Sequence, residues 1–274
     1  MQTKASFKKE FLAFWRSKKL IILTCVIITL ALFGAALTRG MSEIPGFSEM
    51  YSVATSGVQA AISYIAEIGL LVFILLLNSH AGGEQKRRSI IIPQSSGLGS
   101  ASYIFPKFIF YPLVVFALSI IGTLAASGLS VYFFEDNNLI MSQVLAGGAV
   151  LGVYLMMYVC FHLCIGTATG RAGASAAICI VAALLLPTIF EMLSVAGQFA
   201  DIMAGEVVES TATYAYNPFA LSLMAQRVVG GNAETQDIVM TLAFAFALMV
   251  IVYFIALFAQ NARKIDNSGN EILI

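Results

Sequence analysis

Glu67 is the residue whose type and position point most directly to chemistry. It lies in the middle of an apolar run, Gly57–Ser79, that contains no other charged residue. A charged carboxylate at the centre of a bilayer costs about 2.5–3.5 kcal/mol on insertion scales. We therefore expect Glu67 to face the protein interior or water, or to be neutral.

Polar residues near Glu67 extend it into a stripe. Gln59, Ser63 and Tyr64 lie within about a quadrant of Glu67 on a helix, and Asn78 lies about three turns further on. The stripe predicts either one wall of a substrate path or a set of interhelical hydrogen bonds, each worth roughly 0.6–2 kcal/mol. From the sequence, the two interpretations have equal weight.

A second polar stripe follows the later apolar run Met141–Thr169. Its members recur at helical spacing and are Gln143, Gly147, Tyr154, Tyr158 and His162. A tyrosine presents both an apolar ring and a hydroxyl group, which suits the path of an amphipathic substrate. Helix packing and interfacial anchoring are the favoured interpretation of this stripe. We keep Tyr154 and Tyr158 as candidates for the path.

Motifs for chemistry on this chain alone are missing. The sequence has no G-x-x-x-x-G-K-[ST] phosphate loop, no G-x-S-x-G and no H-E-x-x-H, so neither that mode of ATP binding nor a hydrolase is indicated. Cys160-x-His162-x-Cys164 lacks the usual zinc spacing. We predict no catalytic residue, metal or cofactor on this chain. We also predict no nucleic-acid partner, because membrane topology explains the Lys and Arg clusters.

The elements that hold these residues are membrane spans. The chain has 274 residues, of which 59% are hydrophobic and 11% charged, too apolar a balance for an ordinary soluble domain. A helix needs about 20 apolar residues to cross a bilayer. We expect helices rather than a barrel, because lipid leaves backbone groups to be satisfied within each segment. The predicted spans are residues 20–37, 57–79, 108–134, 141–169, 172–199 and 238–260.

Charge orients the predicted spans. All of the 15 Lys and Arg residues except Arg39 and Arg227 fall at the two ends of the chain or in alternate gaps between spans. By the positive-inside rule these regions are cytoplasmic, which places both termini in the cytoplasm. We expect a single transmembrane domain over residues 1–274 in the plasma membrane of a bacterial cell.

Residues 3–19 precede the first span and form an aromatic stripe among basic residues. The stripe consists of Phe7, Phe11, Phe14 and Trp15. This pattern favours an amphipathic helix that lies in the interface and binds membrane lipid. The alternative is a positively charged flank that only sets topology.

The cytosolic gap 80–107 contains a charged cluster, an apolar triplet and a proline. These residues are Glu84, Lys86, Arg87, Arg88, Ser89, Ile90, Ile91, Ile92 and Pro93. We expect a helix that breaks at Pro93. An apolar triplet on a cytosolic loop needs burial, either against a partner protein or against the membrane-side helices.

The external gap 200–237 contains a further apolar stretch, Ala220–Val229, that begins after Asn217-Pro218-Phe219. The stretch is too short to span a bilayer. We expect a short helix that dips into the outer leaflet or caps the bundle.

Together these features resemble the membrane subunit of type-2 ATP-binding-cassette (ABC) exporters, the short six-span permeases. The resemblance covers essentially the whole chain, in architecture more than in individual residues. It includes the interfacial helix, the loop Glu84–Pro93, the turn 166–173 with Arg171, and Asn217-Pro218 before short re-entrant external helices. The chain departs from the family after Pro93, where Ser95–Ser100 stands in place of a basic residue.

The resemblance implies a fold and a function. The fold would be all-α, with six transmembrane helices, an N-terminal interfacial helix and re-entrant helices before the last span. The chain would be a transport subunit and not an enzyme. Two ATPase subunits, which bind ATP and magnesium, would dock on residues 84–93 and Arg171. A second permease, identical or paralogous, would complete the complex.

The implied substrate is amphipathic or hydrophobic, such as a peptide, a lantibiotic, a drug or a lipid-like molecule, and it would move outward. The competing hypothesis is an ATP-independent membrane protein, either a secondary carrier or a peptide-immunity binding protein. A carrier needs ion-coupling acids, and Glu67 alone is well placed for that role.

Overall fold

The computed structural model describes residues 2–46, 53–82, 99–135, 137–204, 217–265 and 271–273. The predicted coupling residues Glu84–Pro93 lie outside this described part of the chain. The helices in chain order are α1 Gln2–Arg16, α2 Lys19–Ser42, α3 Ala54–Tyr64, α4 Leu70–Ala81, α5 Ser100–Phe133, α6 Met141–Thr169, α7 Ala172–Ala204, α8 Leu221–Val229 and α9 Thr235–Ala262. Two three-residue strands, β1 Arg263–Ile265 and β2 Glu271–Leu273, pair antiparallel.

The prediction of a helical multi-pass membrane protein is confirmed at the level of helix number, length and composition. In the described part of the chain, 6 helices are long and apolar enough to cross a membrane. One of them, Ala54–Ala81, is continuous through α3 and α4, which a π-helical turn at Ile65–Gly69 joins. Most of these helices extend a few residues beyond the predicted apolar runs, because polar residues continue the helix past the apolar segment.

Helix α6 lies at the centre of the bundle. It contacts α4, α5, α7, α8 and α9, and it is the most buried of the six long helices. Small residues bring α5 close to it, since Gly148 packs against Thr123 and Gly152 packs against Phe116 and Ser119. Ser119 Oγ also donates a hydrogen bond to the Gly148 carbonyl oxygen at 2.9 Å. This central helix positions the residues of the second polar stripe.

Helix α1 packs its aromatic residues unequally. Phe14 is buried against Tyr111 of α5, with the ring centroids 5.7 Å apart. Phe7 is half-buried, whereas Phe11 and Trp15 stack on each other at an exposed face of the chain. A tight turn at Lys18, which has φ 55°, then leads into α2.

A close contact between helix backbones involves Gly34 of α2, which lies against the backbone of α3. A Cβ atom at Gly34 would lie 2.6 Å from both the Cα and the backbone nitrogen of Ala61. Glycine is required here because no Cβ fits between two backbones at this distance. Gly128, near the end of α5, is exposed, and a Cβ atom added to it would meet nothing within 4 Å.

We expect Gly34→Ala and Gly128→Ala to change stability in opposite directions. Both substitutions gain roughly 0.5–1 kcal/mol of helix propensity. Gly34→Ala must also push α2 away from α3, and overpacking of this kind costs typically 1–3 kcal/mol. Thermal unfolding of the detergent-purified protein should therefore show a lower midpoint for Gly34→Ala and an unchanged or higher midpoint for Gly128→Ala. Equal midpoints would contradict the close α2–α3 contact.

Candidate functional site

A cavity of about 360 Å³ opens beside Glu67. Its walls come from the α3–α4 helix, from α6, from α7 and from the start of α8. Residues that define these walls are Ser63, Glu67, Tyr154, Pro187, Asn217 and Ser222. The remaining lining is mainly apolar and includes Leu70, Leu71, Leu184, Phe219 and Leu223. The cavity thus combines one carboxyl group and several polar groups with an apolar surface.

The Glu67 side chain projects from the π-helical turn Ile65–Gly69. A π-helical turn accommodates an extra residue in an otherwise α-helical segment, and such turns are frequent at functional sites. Glu67 is exposed in this chain and lines the cavity. The ion pairs among the described residues join Lys9 or His80 to Glu10 and Arg39 to Glu43, and none includes Glu67.

Tyr154 of α6 forms another wall of the cavity. Its side chain is buried, with Ser222 of α8 as a polar neighbour of its hydroxyl and with Glu67 close enough to interact electrostatically. The sequence places Tyr154 and Glu67 on separate stripes of separate spans. Packing of α6 against α4 brings these two stripes to one cavity.

The start of α8 forms a third wall. Asn217 Oδ1 accepts a hydrogen bond from the Phe219 backbone N–H at 3.0 Å, which caps the 3₁₀ turn Pro218–Ala220. Phe219 packs halfway along α6 against Tyr158 and Phe161. The other end of α8 lies against the first turns of α6, where Gly147 contacts Val229. The N-terminal part of α8 therefore lies at the cavity, with Ser222 and Leu223 in its lining.

The other residues assigned to the substrate path lie around the cavity and do not line it. Gln59 Nε2 donates a hydrogen bond to the Gln226 carbonyl oxygen at 3.0 Å and so joins α3 to α8. Tyr64 packs on Phe33 of α2, with ring centroids 5.1 Å apart. Tyr158 is fully buried beside Tyr154. Asn78 is half-buried in the last turns of α4.

The C-terminal end of α4 and the N-terminal end of α7 meet at the predicted coupling turn. A Cβ atom at Gly82, which follows α4, would lie 3.0 Å from both the Gly166 carbonyl oxygen and the Ala172 backbone nitrogen. Arg171 is exposed in the turn between α6 and α7. Gly82, the last described residue before 83–98, therefore contacts the turn 166–173, although Gly82 and this turn are far apart in sequence.

A buried polar cluster, which sequence reasoning missed, joins α1 to α4 and α5. Tyr111 Oη donates a hydrogen bond to the Glu10 carboxylate at 2.5 Å, and His80 Nδ1 lies 3.9 Å from the same carboxylate. Lys107 Nζ donates to the His80 carbonyl oxygen and to the Tyr103 hydroxyl, each at 3.1 Å. The available signal was Glu10 itself, the only acidic residue among the bases of residues 3–19.

Fold and cavity define the class of protein: a multi-pass helical membrane protein with a polar cavity among its spans. In comparisons with known proteins, no family model matches the chain and no curated protein sequence is significantly similar to it.

We expect Tyr111→Phe to destabilise the protein by about 1–3 kcal/mol, because it leaves the buried Glu10 carboxylate without its hydroxyl donor. Tyr132→Phe is the matched control, since Tyr132 is 83% exposed on the same helix. Thermal unfolding in detergent measures both variants. If the two midpoints fall equally, the Tyr111 hydrogen bond does not stabilise α1 on the bundle.

A second prediction concerns water in the cavity. In a background without the 4 native cysteines, Ser63→Cys should react with a charged, water-soluble thiol reagent in nanodiscs, because Ser63 lines the cavity. Ser119→Cys is the control, since Ser119 is fully buried between α5 and α6. Adduct formation is read by intact-protein mass spectrometry. Failure of Ser63→Cys to react would indicate a dry or closed cavity.

Proposed function

We propose that this chain is the membrane subunit of an ABC exporter of the type-2 class, which moves an amphipathic or hydrophobic substrate outward. The observation that supports this most is the cavity beside Glu67, which lies among spans that also reach the cytosolic coupling region. ATP hydrolysis would occur on two separate ATPase subunits. A second permease, either a second copy of this chain or a paralogue, would complete the transport unit.

The proposal includes an orientation in the plasma membrane of a bacterial cell. Basic residues concentrated in alternate gaps favour cytoplasmic termini. In this orientation α1 lies in the cytosolic interface, held by the buried Phe14, while Phe11 and Trp15 contact lipid. The contact of Phe219 with Tyr158 supports a re-entrant α8, because in this orientation it would place the start of α8 at the depth of Tyr158 in the bilayer.

A mechanical route from ATPase to cavity follows from the contacts. An ATPase that binds residues 84–93 and the turn at Arg171 would act on the adjoining ends of α4 and α7. Both helices continue to the cavity, which α4 lines with Leu70 and α7 lines with Pro187. Proline within α7 removes a backbone hydrogen bond to the preceding turn and so provides a point where that helix can bend. Movement at the cytosolic ends would thus change the shape of the cavity.

Helix α1 would follow the same movement. His80 near the end of α4 and Tyr111 of α5 both contact the Glu10 carboxylate of α1. A shift of α4 therefore reaches the interfacial helix through a buried polar contact, and not only through the short α1–α2 turn.

Glu67 also favours a second candidate, a proton-coupled secondary carrier. An acid within a span, with no cation partner among the described residues, is the group such a carrier protonates and deprotonates. The two functions differ in their energy source. A peptide-immunity protein that only binds its target would need neither source.

Replacing residues 84–93 with a Gly/Ser linker of equal length should abolish ATP-dependent export in proteoliposomes that contain the chain and its ATPase. Any ATPase encoded beside this chain's gene would be the first partner to test. An equal-length replacement at the external turn 135–138 is the control and should retain export. Transport that persists without any ATPase and collapses with the proton gradient would establish the carrier instead.

A further inference from the structure

Among the described residues that line the cavity beside Glu67, one has an acidic side chain and none has a basic one. Among the described residues that line it, Glu67 is the only one with a charged side chain. Arg227 belongs to α8 but does not line the cavity. Glu67 therefore remains available to a cation that enters from outside this chain.

Groups around Glu67 suit an ammonium or guanidinium group. A carboxylate and neutral hydroxyl oxygens accept hydrogen bonds, and an ammonium group has only donors. Ser63, Tyr154 and Ser222 supply such hydroxyl oxygens in the same cavity. A charge-assisted hydrogen bond is stronger than a neutral one.

The remaining surface suits an apolar body. Leu70, Leu71, Leu184 and Leu223 lie beside the polar groups. A volume of about 360 Å³ lies at the lower end of the roughly 300–1,000 Å³ range of small-molecule sites. The site would thus hold a drug-sized molecule or one segment of a larger substrate, and not a folded peptide.

We propose that this cavity selects amphipathic cations, with the ammonium or guanidinium group paired to Glu67 and the apolar part against the leucine side chains. The proposal names the substrate class of the exporter and in that sense rests on the proposed function. Binding itself requires only this chain. The proposed site also gives the π-helical turn a role, because the turn projects Glu67 into the cavity while α3 and α4 remain one continuous helix.

The test uses the full-length chain in nanodiscs without an ATPase, with 2-(1-naphthyl)ethylamine as the cationic probe and 2-(1-naphthyl)ethanol as the neutral probe of nearly equal shape. Equilibrium dialysis measures binding of each, corrected by empty nanodiscs for partition into lipid. We expect the amine to bind about tenfold or more tightly than the alcohol, because only the amine makes a charge-assisted hydrogen bond.

Glu67→Gln should remove this preference. It keeps the size of the side chain but loses its charge, so amine binding should weaken about tenfold or more while alcohol binding stays within about twofold. Glu67→Asp, which keeps the charge, should retain a preference for the amine. Glu43→Gln is the matched acid control, since Glu43 pairs with Arg39 at an exposed position. Thermal unfolding confirms that each variant is folded.

Unchanged amine binding in Glu67→Gln, or equal binding of both probes by the unsubstituted protein, would overturn the proposal. The outcome is separable from the proposed function. Selective amine binding without ATPase-dependent export would support the cation site and contradict the exporter. ATPase-dependent export that Glu67→Gln leaves unchanged would support the exporter and contradict the cation site.

Discussion

Lipid offers no hydrogen bonds to a protein, so each polar group placed among the spans needs a partner within the protein or in enclosed water. Many of the hydroxyl side chains in these helices meet this need locally. Thr38 Oγ1, for example, donates to the Gly34 carbonyl oxygen at 2.8 Å. Gln59 finds its partner on another helix, because its side-chain nitrogen donates a hydrogen bond to the Gln226 carbonyl oxygen.

Two acidic residues, Glu10 and Glu67, differ in whether groups of the protein surround their carboxyl groups. Glu10 is buried, and it is surrounded by the Tyr111 hydroxyl, His80 and Lys9. Its role is explained by the attachment of α1 to the bundle. Glu67 has no such ion partner among the described residues and lies at a cavity. The contrast supports the proposal that Glu67 meets a ligand, because the buried acid Glu10 has its partners within the protein.

The predicted coupling turn and the cavity share helices. Helices α4 and α7 begin or end at the contact between Gly82 and the turn at Ala172, and both continue to the cavity. A close-packed contact between backbones transmits displacement well, because it has little room to deform. This arrangement gives the proposed ATPase-driven movement a physical route without a separate mechanical element.

Hydropathy and charge are local properties, so the residue order alone determined the six spans, their helical character and the expectation of sidedness. It also singled out Glu67. The residue order did not determine contacts between distant segments. Tyr111 and Glu10, for example, are 101 residues apart. Ser222 lies beside Tyr154 only because α8 packs on α6. The π-helical turn, which has no marked sequence signature, interrupts the α-helical spacing on which the predicted stripe from Glu67 to Asn78 depends. Tertiary packing therefore decided which polar residues share the cavity, because it sets the rotation and depth of each helix against its neighbours.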